Sequence, residues 1–574
     1  LKVFLQQLWF SSLQARFDFP LLLLWTVIGG VFRFTQLTAK PPWTDEFATL
    51  VFSLGNDFQS VPLNQIISIN TLLQPLQPNP DATIATVVSL LLYEDNHPPL
   101  YFVLAHLWMK LFPSTGEYVD LQAARSLPAL FGVISIPAIY YLGKVAFNSR
   151  LVGQLSAAMM AVSPYAIFLA QEARHYTLAI LFVIASLGCF IVAIKFLSQP
   201  KLLPIWLIFF WVIINSLGLS VHYFFSLTLL AEAIVLIVLT FSSSFPPFFF
   251  RNGWRLGIVA IGTIAAGLIW LLILPKDYGN GMTDWIKSEN TTILGLVNPV
   301  FQILATWITM LSLLPVESSS LPVIIFSGIV MIVFFIWLLP LLKLGVIAIW
   351  KQSNFSWAAK SLIGFIIGVL FLFFFLTYFG KVDLTRGARY SFTYFPAVIT
   401  ILGAILAFFW RRKEEKKKLL NNHSYFFKDR GKTIVAIAWL MGFLSAITVC
   451  VNLGYQKYYR PDLLVPIILQ NSSVPILITT PHTSLVQTGE MMGLAWELKR
   501  HALKSKVLFL LAHQDSQNSQ KLSLILQKKL TKFSQPLDIW TINFSAPLEV
   551  KGCQRDSKIF PLVNGYQYNL YHCL

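Results

Sequence analysis

The stretch "YTLAILFVIASLGCFIVAI" (Tyr176–Ile194) runs nineteen residues without one Asp, Glu, Lys, Arg or His. A helix crossing the ~30 Å hydrocarbon core of a bilayer needs about 20 such residues. "QEARH" (Gln171–His175) stands before it and Lys195 follows it, so the stretch has two polar ends of different character. Similar runs recur at Leu21–Phe32, Leu127–Gly143, Leu151–Gln171, Leu202–Val221, Leu256–Leu274, Leu321–Leu342, Ser361–Gly380, Phe392–Trp410 and Thr433–Asn452. Tyr223–Phe241 is another, interrupted by Glu232. Only 12% of the 574 residues are charged and 56% are hydrophobic, about half the charge of a soluble chain. The sequence predicts a polytopic α-helical membrane protein with about eleven spans, within a range of eleven to thirteen.

The net charge of +17 follows from topology and calls for no nucleic acid. Basic residues collect between alternate spans: Lys144 and Arg150, Lys195 and Lys201, Arg251 and Arg255, then Lys343, Lys351 and Lys360, and "RRKEEKKK" (Arg411–Lys418). Cytoplasmic loops carry such an excess and sit beside anionic lipid. Read that way, the N-terminus is cytoplasmic and the C-terminus lies outside. The chain begins with Leu1 and not Met; a small-residue cleavage site at Thr38–Lys40 is a weaker reading than a retained first span.

Residues 1–452 therefore read as a membrane module containing a long first external loop, 38–126. Within that loop Leu100–Phe112 is expected to be a helix too short to span, lying in or dipping into the outer leaflet. Val300–Leu314 is expected to behave in the same way. Residues 453–574 read as a small extracytoplasmic α/β domain. Val474–Pro481, Lys506–His513 and Leu537–Phe544 are its expected strands, with helices at Val486–His501 and Gln520–Thr531. Cys189 and Cys450 fall inside spans. Cys553 and Cys573 share the outer tail, where a disulfide is permitted and their separation leaves the pairing open.

The external loops carry an unusual set of polar residues. The first has Asp45 and Glu46, then Glu94, Asp95 and His97, then Arg125. Later loops bring Glu172, Arg174, His175 and Tyr176, then His222 and Tyr223, then Asp383, Arg386, Arg389 and Tyr390. Each taken singly reads as an interfacial anchor, a helix cap or a salt bridge. Their collection on one side of the membrane points to chemistry. Arginines hold phosphate through charge-assisted bonds, and a carboxylate can take a proton from a hydroxyl nucleophile. No Gly-rich phosphate loop and no HExxH or Cys/His spacing is present. Acids beside a phosphate are compatible with a divalent metal, yet no ligand spacing asks for one, so no cofactor is required. Glu232 is an intramembrane acid, for which pairing and chemistry are both open readings.

"PPWTDE" (Pro41–Glu46), "NHPPLYFVLAHLW" (Asn96–Trp108), "RSLPALFGV" (Arg125–Val133), "SPYAIFLAQEARHYTL" (Ser163–Leu178) and "ARYSFTYFPA" (Ala388–Ala397) together resemble bacterial family-39 glycosyltransferases. Those are relatives of the protein O-mannosyltransferases and the lipid A aminoarabinose transferases. The resemblance covers roughly Pro20–Phe409. It implies a GT-C fold, a polyprenyl-phosphate-linked sugar as donor, and inverting transfer of a hexosyl or pentosyl group on the external face. The acceptor would be a hydroxyl of a lipid, glycan or protein, in a bacterial inner or plasma membrane.

Carried over, the first-loop acids land on Asp45 as base and Glu46 as its helper. His97 takes the place before Pro-Pro where aminoarabinose transferases have Lys, and would meet the donor phosphate. Glu94 and Asp95 would hold its imidazole protonated. Glu172 and Arg174 match the "QEAR" element, and Arg389 with Tyr390 the late Arg-Tyr; both arginines would neutralise the leaving phosphate. Arg125, His175, Tyr176, His222 and Arg386 are supporting residues. The rival reading is a transporter or flippase of lipid-linked sugars, which needs polar groups through the depth of the membrane.

Overall fold

The computed structural model describes residues 2–95, 97–199, 201–241, 252–273, 284–287, 292–411, 431–502, 505–513, 526–530, 536–544 and 552–573. In chain order it begins with α1 (Lys2–Phe34), α2 (Thr44–Ser53), β1 (Ile66–Ser68), α3 (Ile69–Leu73), α4 (Ile84–Glu94) and α5 (Leu100–Leu111). There follow α6 (Leu121–Phe147), α7 (Arg150–Val162), α8 (Pro164–Ala170), α9 (Tyr176–Leu197), α10 (Ile205–Leu219), α11 (Phe225–Thr240) and α12 (Gly253–Ile273). The remaining helices of the membrane region are α13 (Ile293–Leu311), α14 (Leu321–Lys351), α15 (Ser353–Tyr378), α16 (Phe395–Trp410) and α17 (Gly431–Cys450). The tail adds α18 (Pro461–Gln470), β2 (Ile476–His482), α19 (Leu485–Lys499), β3 (Val507–His513), β4 (Leu537–Ile542), β5 (Cys553–Arg555) and β6 (Tyr568–Cys573).

These elements form two compact units. One holds Leu1–Leu37, Arg125–Leu274 and Ile286–Tyr455; the other holds Thr38–Ala124, Pro275–Trp285 and Gln456–Leu574. The first is an apolar helical bundle. Among the described residues seven helices are long and apolar enough to cross a membrane, or up to eight if α7 and α8 form one span. The chain is a polytopic membrane protein. α10, α11 and α16, each expected to span, are apolar but only 15, 16 and 16 residues long. α13, expected to lie at the surface, is 19 residues long and apolar enough to cross. Of the basic runs, Arg251 and residues 412–418 lie outside the described residues.

The expected span Leu151–Gln171 is bent by 58° between α7 and α8. Pro164 is the cause: it lacks an amide hydrogen, and Ser163 before it is extended, with its hydroxyl accepting from the Ala166 amide at 3.3 Å. The bend strips the last carbonyls of α7 of helical partners. Arg33 of α1 supplies them instead, its guanidinium donating to Met160 O at 2.9 Å, Ala161 O at 3.2 Å and Gly29 O at 2.9 Å. Arg33 is fully buried, and Gly132 makes room for it: a Cβ there would stand 2.9 Å from Arg33 Nε. Gly132 belongs to the "RSLPALFGV" stretch, so one of its residues has a packing reason.

Glu232 is likewise consumed by packing. Ser186 Oγ lies 3.0 and 3.1 Å from its two oxygens and 3.0 Å from Asn215 Oδ1, and accepts from Trp211 Nε1 at 3.3 Å. This cluster ties α9, α10 and α11 together, and Asn215 extends it to α12 by donating to Thr263 Oγ1 at 3.1 Å.

The second unit is built on a six-stranded mixed sheet in the order β1-β3-β2-β4-β6-β5. β2 runs parallel to both β3 and β4, while β1, β5 and β6 are antiparallel to their neighbours. The three strands expected in the tail are present, and Val486–His501 is α19. Of the expected helix Gln520–Thr531 only 526–530 is described, and it is helical. The tail does not complete the sheet alone. β1 comes from the first external loop and pairs Ile66 with Leu510 and Ser68 with Leu508, which covers an edge of β3 that would otherwise present unpaired backbone groups. Asn64, at φ 57°, fixes the join: its amide donates to Leu511 O and its Oδ1 accepts from the His513 amide, both at 2.9 Å. At the opposite edge Cys553 and Cys573 are disulfide-bonded in register across β5 and β6.

Candidate active site

The sequence-selected residues fall into two groups, one in each unit. In the helical bundle, Glu172–Tyr176 precede α9, His222 lies between α10 and α11, and Asp383–Tyr390 lie between α15 and α16. Because consecutive spans alternate in direction, these segments share one end of the bundle, opposite the end bearing Lys195, Lys351 and Arg411.

Their rings form a continuous cluster. His175 and His222 stand 4.7 Å apart between ring centres, His222 is 6.0 Å from Tyr390 and 5.0 Å from Phe392, and Tyr176 is 5.8 Å from His222. Phe224 meets Tyr390 edge-on at 4.8 Å. The two arginines border this cluster: Arg174 lies 5.9 Å from the Tyr176 ring centre and Arg389 5.3 Å from that of Tyr390, distances at which a cation is attracted by a ring face. Glu172, Arg174 and His175 are buried. The Phe224 amide donates to His222 Nδ1 at 3.0 Å, which places the proton of a neutral His222 on Nε2.

Tyr165, which was not singled out, connects the elements. Its hydroxyl lies 3.0 Å from the carbonyls of both Ala388 and Arg389 and donates to this pair, so α8 holds the backbone that carries Arg389. The signal was present in "SPYAIF", where a Tyr follows the helix-breaking Pro. The other supporting arginines do different work. Arg125, fully buried, donates to Leu37 O at 2.6 Å. Arg386 pairs with Asp383 at 3.4 Å and donates to Lys287 O at 3.2 Å, pinning its own loop.

In the second unit Asp45 and Glu46 occupy the first turn of α2, where carboxylates complement the helix dipole. Glu46 is fully buried, while Asp45 is partly exposed. After α4 the chain turns extended at Asp95, and His97 Nδ1 comes 2.8 Å from Asp95 Oδ1. Asp95 is buried and the His97 side chain is 28% exposed. Glu94 points elsewhere. Burial, with the charge of Asp57 adding to it, pushes its carboxyl up to about 7, opposed by a hydrogen bond from the Phe58 amide. Of the two acids expected to serve His97, Asp95 is the one bonded to it. Among the described residues no group of three or more His, Cys, Asp or Glu is placed to hold a metal ion.

No family model and no curated protein matches the chain. Solved structures do. ArnT from Cupriavidus metallidurans bound to undecaprenyl phosphate is similar over 96% of this chain and 97% of its own, at 11% identity and a TM-score of 0.48. The Archaeoglobus fulgidus oligosaccharyltransferase tethered to an acceptor peptide is similar over 93% of this chain and 70% of its own, at 13% identity and a TM-score of 0.49. The archaeal oligosaccharyltransferase AglB from Archaeoglobus fulgidus, in complex with an inhibitory peptide and a dolichol-phosphate, covers 92% and 70% at 12% identity and a TM-score of 0.47. None of the three reaches a TM-score of 0.5, and the functional reading below rests on the chain's own residues.

Proposed function

We propose that the chain is an integral-membrane glycosyltransferase that moves a hexosyl or pentosyl group from a polyprenyl-phosphate donor to a hydroxyl acceptor. The acceptor is a lipid, glycan or protein on the external face of a bacterial inner or plasma membrane, with the N-terminus cytoplasmic and the tail outside. One observation carries the reading. Three segments far apart in sequence bring Arg174, His175, His222, Arg389 and Tyr390 into one ring-packed cluster at a single end of an apolar bundle. Cations collected at a membrane boundary suit an anionic lipid headgroup.

The chemistry assigned to these residues is a displacement at the sugar's anomeric carbon. Asp45 takes the acceptor hydroxyl's proton, helped by Glu46, and the oxygen forms the new bond to carbon as the bond to phosphate oxygen breaks. The lipid phosphate leaves with that electron pair, its charge met by Arg174, Arg389 and His97 with Tyr390 as a donor. Inversion follows from a single attack opposite the leaving group. Glu172, Arg125, His175, Tyr176, His222 and Arg386 support the arginines of the bundle, and Asp95 holds His97. The transporter reading finds less support, since Glu232 is engaged in joining helices.

The test is sugar transfer from a panel of radiolabelled polyprenyl-phosphate sugars into membrane extract, wild type beside Asp45→Asn. Transfer by wild type, lost in the variant, is the expected result and identifies the sugar. No transfer from any donor by well-folded protein overturns the enzyme. Equal transfer by both proteins removes Asp45 from the role of base.

A further inference from the structure

Helix α19 of the tail packs directly on α2, the helix that begins with the candidate acids. Gly489 and Gly493, four residues apart, lie on one face of α19. A Cβ on Gly489 would stand 2.7 Å from Thr44 Cγ2 and 3.3 Å from Thr44 Cα. Thr44 immediately precedes Asp45, and its branched side chain has no flexible end to swing away. At Gly493 a Cβ would meet Phe47 Cε2 at 3.7 Å and the Pro42 carbonyl at 3.9 Å. Phe47 and Glu46 are fully buried.

The tail reaches the same helix from a second direction. Lys457 lies 4.7 Å from the ring centre of Trp43, the residue that caps α2. At the far end of α19, Lys499 bonds Glu117 at 2.9 Å and lies 4.0 Å from the Tyr118 ring centre, while Trp496 packs against Tyr118. Strand β1 of the same loop completes the tail's sheet. Sequence positions more than 400 residues apart are thus folded as one body.

We propose that the tail is the positioning element for the first-loop acid, and that Gly489 is the residue setting the height of α2 on it. This rests on the assignment of Asp45 as the base. Backbone meets side chain at this seat with no intervening side chain on the α19 side, so α2 has one packing position. A methyl group at Gly489 would lift Thr44, and Asp45 with it, by several tenths of an ångström. Displacements of about 1 Å in a reacting group can cost ~100-fold in rate. Gly489 touches no substrate in this account; it acts through Thr44.

The test compares full-length wild type with Gly489→Ala, Thr44→Ser, and the two combined, in one detergent. Hydrogen exchange over residues 47–53 reads the seat of α2 without any donor. Transfer is read with whichever polyprenyl-phosphate sugar wild type uses in the panel above. Gly489→Ala should speed exchange in α2 while leaving β2 and β3 protected, and should lower kcat about tenfold with donor KM unchanged. Adding Thr44→Ser, which removes the clashing methyl, should restore both to within about twofold of wild type. Wild-type exchange and wild-type kcat in Gly489→Ala overturn the proposal. So does loss of protection throughout the sheet that Thr44→Ser fails to restore, because that is general unfolding. Asp45→Asn with undiminished transfer would instead remove the assignment of the base, while exchange in α2 would still report the seat.

Discussion

His97 Nδ1 lies 2.8 Å from Asp95 Oδ1, across one intervening residue and at the exposed lip of α5. A carboxylate can only accept, so Nδ1 carries the hydrogen of this bond. The buried acid fixes the orientation of the ring. His97→Ala should therefore raise donor KM by ~10–100-fold, the range of one charged hydrogen bond. His97→Lys should retain part of that affinity, and Asp95→Asn, which loosens the ring, should lose part of it. Donor saturation curves decide it; identical curves for wild type and His97→Ala would remove His97 from the donor site.

The bent span between α7 and α8 depends on one side chain from a third helix. Arg33 serves the carbonyls of Met160 and Ala161 inside an apolar bundle. Arg33→Met should cost on the order of 2–5 kcal/mol, since two buried carbonyls lose their donors together. Gly132→Val should be comparably harmful, because its added methyls occupy the space of the Arg33 guanidinium. Thermal unfolding in detergent checks both. Arg33→Met with an unchanged midpoint would show the carbonyls to be satisfied without it.

Much of this was legible in the chain. Uncharged runs located the apolar helices, because a bilayer leaves no alternative to long uncharged segments. Strands β2, β3 and β4 were legible because buried parallel strands read as short continuous apolar runs. Several features were not. Strand β1 is three residues long and pairs with a strand more than 400 positions away, so no local pattern marks it. The seat of α2 on Gly489 and Gly493 is a property of surface fit, and glycine in a helix carries no label for what it faces. Arg33 was not singled out in the sequence, since its role as a buried donor depends on the bend at Pro164 in another helix. Glu94, adjacent to the "NHPP" turn, was assigned to His97 on proximity alone; the helix end at Asp95 turns it toward Asp57 and Phe58.

The disulfide offers a simple test of the sheet's far edge. Cys553 and Cys573 close a segment of 20 residues, for which the loss of loop entropy in the unfolded chain is worth ~3 kcal/mol. β5 has only three residues to hold it to β6. Reduction should release β5 first, seen as faster hydrogen exchange over residues 553–555 and 568–573, with β2 and β3 unaffected. Equal exchange in reduced and oxidised protein would show the edge to be held by packing alone.

The second unit should be most stable in mildly acidic solution, because its titratable groups pull in opposite directions. Burial pushes Glu490 up to about 7 from an ordinary 4.5, with hydrogen bonds from Tyr459 and Asn543 opposing it. Its folded form prefers the proton, so its contribution is whole below pH 4.5 and is lost as pH rises through about 7. His572, raised by its bond to Asp538 and then by Asp556, acts in the same sense: its contribution is present below its unfolded value and lost above its folded one. His482 opposes them. Burial and the neighbouring His513 bring it down to about 4 from 6.5, so its contribution is whole above 6.5 and is lost as pH falls through about 4. Protection of β2–β4 amides should then peak between pH 5 and 6 and fall on both sides. Glu490→Gln keeps the shape and removes the charge, so it should flatten the alkaline limb and leave the acid limb in place. An alkaline limb of undiminished slope in Glu490→Gln would mean that the proton is lost from some other group.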